Sequence, residues 1–260
     1  ALREGRTFNE YILPKKPISK KAEEVTGIRM NGLKMYHHNK EVSPVPIKTG
    51  LTNFLNFLNF NKSGACVVIG HNIISYDVPV LVNAFRNCCL VNVFLENVQG
   101  ICDTLPVFKA TNPGLTSYSQ VNFYNQVIGE SYQAHDSLQD AMALKRLLVH
   151  LNPDVNTKLC HTYTLESAIK RIEYSEMGTN LMSTLVPLVD SKSISKGIAH
   201  KIAFSGLSFI HIKLAFQRNG RQGVEDVLTE DFQDKARVTR SRKILDSLCD
   251  FLERFCASEV

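Results

Sequence analysis

The chain has 260 residues, 44% hydrophobic and 21% charged, an ordinary globular composition long enough for one large domain or two small ones. Its net charge of +5 accommodates a polyanionic partner without demanding one. The longest apolar region, Val78 to Leu95, is broken by Asn83, Arg86, Asn87 and Asn92, so no membrane span is expected, and the polar start ALREGR is unlike a signal peptide.

In chain order, residues 7–13 (TFNEYIL) alternate and stop at Pro14, which predicts a strand. Ser19 caps a short predicted helix through Ala22 to Val25, closed by Gly27. Residues 29–46 are polar and are expected to be irregular. Residues 48–60 place Leu51, Phe54, Leu55 and Leu58 at helical spacing, as on a core-facing helix. The run ACVVI (65–69) before Gly70-His71-Asn72 predicts a buried strand covered on both faces. A helix over 75–90 follows, with Pro79 confined to its first turn and Asp77 at its entrance.

Residues 98–103 predict another short strand, and helical patterns recur around 105–109 and 118–128. Gln133-Ala134-His135 is a predicted loop before a helix over 137–151, with Asp136 and Gln139 as a variant capping box. That helix has Leu138, Ala141, Leu144, Leu148 and Leu151 on its apolar side. Beyond Asn152-Pro153-Asp154 the pattern becomes mostly helical, with polar breaks near 191–196 and 219–220, so a domain boundary is expected near residue 155. Seven cysteines without a CxxC pair suggest reduced, buried thiols in an intracellular protein, nuclear or cytoplasmic.

Three polar residues stand out. Asp77 and Asp140 each sit at the entrance of a predicted helix, and His135 lies just before the second. Any one alone reads as ordinary, since the helix dipole favours Asp in the first turn and a lone His is usually a surface residue. Together they suit phosphodiester cleavage. That chemistry needs carboxylates for divalent ions about 3.5–4 Å apart, and a base for the attacking water. No GxSxG motif or placed Cys–His arrangement supports a metal-independent hydrolase.

The segments around these residues resemble a known family. HNIISYDVPVL (71–81) looks like the second motif of the DEDDh 3′–5′ exonucleases, and HDSLQDA (135–141) like the third. FNEYILPKKPISKKAEEVTGI (8–28) is similar to the segment after the first motif, and DTL (103–105) fits the connecting region. The resemblance covers about the first 150 residues. It implies an α/β, RNase H-like mixed sheet flanked by helices, two Mg2+ or Mn2+ ions, and 3′ ends of DNA or RNA as substrate. Asp77 and Asp140 would be metal ligands and His135 the general base. His71 and Asn72 match the family's HN pair, in a structural or substrate-positioning role. Tyr76 holds an aromatic position that would lie near the terminal nucleotide or pack in the core.

The chain departs from the family at its start. An Asp-x-Glu should precede Phe8, yet residues 1–7 hold no Asp, and Glu4 lies too late to substitute. The reading is therefore a domain over 1–154 that lacks its first strand and is inactive as truncated, the initial Ala suggesting a fragment. SGLSFIHIKLAFQRNGRQGVEDVL (205–228) is similar to the region after the exonuclease-like domain of the PML-like exon 9 group, and 155–260 is expected to be a mostly helical C-terminal region. The alternative to an enzyme is a catalytically inactive, exonuclease-derived nucleic-acid-binding or scaffold module. For it, Arg218, Arg221 and the basic tail around Lys235–Lys243 are candidate phosphate contacts, set against the plainer reading of solvated charge.

Overall fold

A computed structural model of the chain describes residues 1–3, 5–59, 66–232 and 234–258. Glu4, Phe60 and Ala65, which figure in the sequence reading, lie outside the described residues. The chain divides into two compact units, Ala1–Ile169 and Lys170–Val260.

The first unit opens with a hairpin of β1 (Leu2–Arg3) and β2 (Arg6–Thr7). The strand expected over 7–13 does not form beyond Thr7. Phe8 turns onto Phe54 and Phe57, with ring centroids 5.7 and 5.6 Å away. Beyond Thr7 the backbone of residues 11–13 meets Val45 alone among the described residues, through the Leu13 N–H and the Tyr11 carbonyl. Pro44 and Pro46 flank Val45 and lack the N–H groups that would extend a ladder. Helix α1 (Lys20–Thr26) starts where Ser19 accepts from the Ala22 N–H and ends at left-handed Gly27, as the caps predict.

The stretch 29–46, expected to be irregular, instead holds most of a meander of β3 (Ile28–Asn31), β4 (Lys34–His37) and β5 (Lys40–Val42). Its second turn holds His38 and Asn39 at φ 46° and 67°, the positive angles that match strand twist. Helix α2 (Ile47–Asn59) buries Leu51, Leu55, Phe57 and Leu58.

The central sheet has the order β6-β7-β8. Strand β6 (Cys66–Gly70) runs parallel to β7 (Val98–Asp103), and β8 (Thr162–Thr164) pairs antiparallel to β7. Parallel strands need a crossover. Here it is α3 (Asp77–Asn87) and α4 (Val91–Asn97), two helices rather than the single one expected, parted at left-handed Cys89. Phe85 of α3 stacks on Phe94 of α4 at 4.2 Å, and both are buried.

After β7 come α5 (Thr104–Thr111), α6 (Gln120–Ile128), α7 (Ser137–Leu151) and α8 (Val155–Cys160). Their core includes Val107, Phe108, Phe123, Ala143, Leu144 and Leu147. Burying each large apolar side chain contributes about 1.5–3 kcal/mol. Helix α7 buries Ala143, Leu144 and Leu147, and Leu148 and Leu151 of the expected apolar side pack against the same core.

Strand β6 is less covered than its apolar run suggests. Val67 and Ile69 are each 44% exposed, and among the described residues β6 pairs only with β7. A groove of ≈ 500 Å³ runs along it, lined by Phe54, Phe57, Leu58, Val67, Leu144 and Leu148 among others.

Helix α9 (Leu165–Thr184) leads into the second unit, where α10 (Val186–Asp190), α11 (Lys196–Phe204), α12 (Phe209–Thr229) and α13 (Arg242–Ala257) enclose a separate core. That core includes Leu188, Ile202, Val224, Leu228, Leu248 and Leu252. The polar break at 219–220 is a kink inside α12, where Asn219 and Gly220 leave helical geometry. A small pair, β9 (Asp231–Phe232) and β10 (Lys235–Ala236), precedes α13. Among the described residues no helix is long and apolar enough to cross a membrane. All seven cysteines are free thiols, and Cys89 and Cys160 are exposed rather than buried.

Candidate active site

Gly70 and Asp103, the last residues of β6 and β7, face each other in register. The loop 71–76 and the start of α5 therefore lie at the carboxyl end of the parallel pair, where open α/β sheets place ligand chemistry.

His71 is fixed by both ring nitrogens. Nδ1 lies 3.1 Å from Thr104 Oγ1, and Nε2 lies 2.7 Å from the Tyr118 carbonyl oxygen. Burial pushes its pKa below the ordinary value; the bond to Tyr118 and the charge of Asp103 oppose that shift. The Asn72 backbone N–H donates to Asp103 Oδ1 at 2.9 Å, with φ 54° at Asn72. Both members of the HN pair are thus tied into the protein. Tyr76 stands 70% exposed, which corrects the expectation that it packs in the core.

Asp77 is the first residue of α3, and its side of the chain faces solvent. Desolvation by the surrounding atoms nevertheless raises its carboxyl above the usual range, and the charge of Asp103 adds to this, while a bond from its own backbone N–H opposes it. Asp103 is buried, at 6% exposure, and caps α5.

The third motif is organised around α7. Asp136 caps it through bonds from the Leu138 and Gln139 N–H groups at 3.0 and 2.9 Å. Asp140 follows in the first turn. His135 precedes the cap, exposed and left-handed at φ 67°, a conformation in which His is enriched among non-glycine residues.

Gln120 donates from Nε2 to the Tyr132 hydroxyl at 3.2 Å and to the Asp140 carbonyl at 2.7 Å, tying α6 to the entrance of α7. Burial, the charge of Asp140 and a hydrogen bond to the Asp140 carboxylate push the Tyr132 phenol up to about 12, against the bond from Gln120. Residues Gln120 and Tyr132 carried no sequence signal of their own.

The structure therefore places Asp77 and Asp140 at two helix entrances, each engaged by a different neighbour. No hydrogen bond or ion pair among the described residues links Asp77 to Asp140 or His135. Two divalent ions require several converging oxygens. Among the described residues no three His, Cys, Asp or Glu side chains are placed to hold a metal ion. Asp77 and Asp140 do not by themselves fit that pair of ions. A cavity of ≈ 660 Å³ beside α7, lined by Tyr124, Tyr132, Gln133 and Arg146 among others, includes none of Asp77, His135 and Asp140, and neither does the groove along β6.

The basic clusters of the second unit are largely engaged by acids. Arg221 pairs with Asp246 at 3.4 Å, with Glu253 at 3.0 Å and with Asp250. Arg237 pairs with Glu230 at 2.7 Å, Arg242 with Glu225 at 2.8 Å and Arg240 with Asp231.

The family model described as Exonuclease matches residues 1–148, more than half of the chain. The chain belongs to the exonuclease family. The model described as PML, C-terminal domain matches residues 181–254. No curated protein matches the chain. The exonuclease match spans β6, β7 and α7 and so takes in Asp77, His135 and Asp140. Membership implies the RNase H-like fold, with which β6, β7 and their flanking helices agree. An exonuclease domain followed by a PML C-terminal domain is the order expected of the PML-like group.

Proposed function

We propose that this protein is a 3′–5′ exonuclease that hydrolyses phosphodiester bonds at nucleic-acid 3′ ends and depends on Mg2+ or Mn2+. The observation that carries the reading is the exonuclease-family match over 1–148, with Asp77 and Asp140 at the entrances of α3 and α7 inside it. In this reading Asp77 and Asp140 would be metal ligands once further carboxylates complete the set. His135, exposed on the loop before α7, takes the proton of the attacking water. The metal ions would supply charge stabilisation at the phosphate oxygens.

Among the described residues β6 has a strand on one edge only, and the groove along it has the form of a place for one more. A strand seated there with an Asp-x-Glu would supply the remaining carboxylates. The test is incubation of a 5′-labelled single-stranded oligonucleotide with Mg2+, using this chain and a version extended at its N-terminus by such a strand. A ladder shortening from the 3′ end is expected from the extended protein. Asp140→Asn should lower the rate by at least about 100-fold, as expected when a group acting in the transition state is lost. An intact oligonucleotide with the extended protein overturns the enzyme reading and selects the inactive binding module.

A further inference from the structure

Asp103 is a buried carboxylate for which the proposed reaction has no use. It closes β7 and caps α5, with Oδ1 accepting the Leu105 N–H at 3.0 Å. A cap needs only the N–H groups of its own helix. Asp103 goes further. Oδ1 also accepts from the Asn72 N–H at 2.9 Å, and Oδ2 from the Ile74 N–H at 3.4 Å. Both bonds cross from β7 to the loop that follows β6.

That loop has one internal backbone bond, from the Ser75 N–H to the Asn72 carbonyl at 3.2 Å. Asn72 is left-handed at φ 54°, a conformation that Asn adopts more readily than most non-glycine residues, and the bonds to Asp103 select it here. Thr104 adds a second tie, its Oγ1 lying 3.3 Å from the Gly70 carbonyl and 3.1 Å from His71 Nδ1. The loop then closes on α3, where the Val78 N–H donates to the Ile73 carbonyl at 2.9 Å. Asp77 lies between that bond and the ties to Asp103.

We infer that Asp103 is a positioning residue: by holding the Asn72 and Ile74 N–H groups it fixes the loop that presents Asp77 at the entrance of α3. Its consequence for catalysis rests on the nuclease reading above. Its consequence for the loop does not.

Two variants keep the cap and remove cross-loop ties, Asp103→Asn the one to Ile74 and Asp103→Ser those to both Asn72 and Ile74. Asp103→Asn keeps an amide oxygen for the cap but turns an NH2 group toward the Ile74 N–H. Asp103→Ser keeps only a short hydroxyl that reaches its own helix. Asp154→Asn, the same change at the cap of α8, is the control. Amide hydrogen exchange on the full chain is the first readout. Both Asp103 variants should speed exchange at Ile74 and Val78 by about tenfold, the loss of one charged hydrogen bond. Ile101 of β7 should be unchanged, and the control should change none of the three.

The second readout is oligonucleotide kinetics with the N-terminally extended protein. There kcat should fall about tenfold with KM held within about twofold, the pattern of a misplaced reacting group. Unchanged exchange at Ile74 and Val78 overturns the proposal, and so does faster exchange with an unchanged kcat. Failure of both variants to fold assigns Asp103 to the core and overturns it too. If the extended wild-type protein has no nuclease activity, the nuclease reading falls, and the exchange rates alone decide the role of Asp103 in the loop.

Discussion

His71 is a base whose two ring nitrogens are both occupied inside the protein, and the cost of charging it there has a consequence for pH. Its folded pKa is lowered by burial, so as pH falls the unfolded chain takes up the proton first. The stabilisation is complete above the ordinary histidine value of about 6.5 and is lost progressively as pH drops through the lower, folded value. Urea midpoints measured between neutral and mildly acidic pH should fall toward acid in the wild type. His71→Asn should flatten that fall; an equal slope in both proteins would assign the dependence to other groups. Asp77, His135 and Asp140 stand out in the sequence because short motifs carry them. The role of Asp103 does not, since it depends on the parallel register that sets Gly70 beside Asp103, a pairing between residues far apart in sequence. The engagement of Arg221 by three acids of α13 was hidden for the same reason: clustered charge in a sequence says nothing of its partners.

At the scale of elements, α7 matters most to the proposed site because it carries Asp140 and follows His135. Its first turn depends on Asp136, which satisfies two otherwise orphaned N–H groups. Asp136→Ala should destabilise the protein by about 1 kcal/mol. Chemical denaturation checks this, and a change indistinguishable from zero would mean that water replaces the cap. This helix was legible from its cap and its apolar spacing, as were α1 and α2. The meander β3–β5 was not. Its strands are short and mostly polar, and Met35 is their one fully buried hydrophobic residue among those described, so no alternation marks it. The turn dipeptide Asn31-Gly32 was the available signal. The strand expected over 7–13 failed for the opposite reason. The alternation is real, but the prolines around Val45 deny it a ladder.

At the scale of the molecule, the second unit has its own core, with Leu188, Val224, Leu248 and Leu252 fully buried. A fragment covering 165–260, which keeps α9 whole, should therefore unfold cooperatively on heating when followed by circular dichroism. A broad, non-cooperative melt would show that the core needs more than these residues. The helical character of this half was plain in the sequence. The compact units divide at 169/170 rather than at the change of character near 155, because the three residues of β8 pair with β7, and so short a segment has no local signature. Strand β6 bears on how the protein behaves in bulk. With two half-exposed β-branched side chains and no strand beside its second edge among the described residues, it is a template for edge-to-edge stacking. Solubility at high concentration thus becomes a report on that edge: a preparation in which it is covered stays dispersed, and one in which it is bare precipitates.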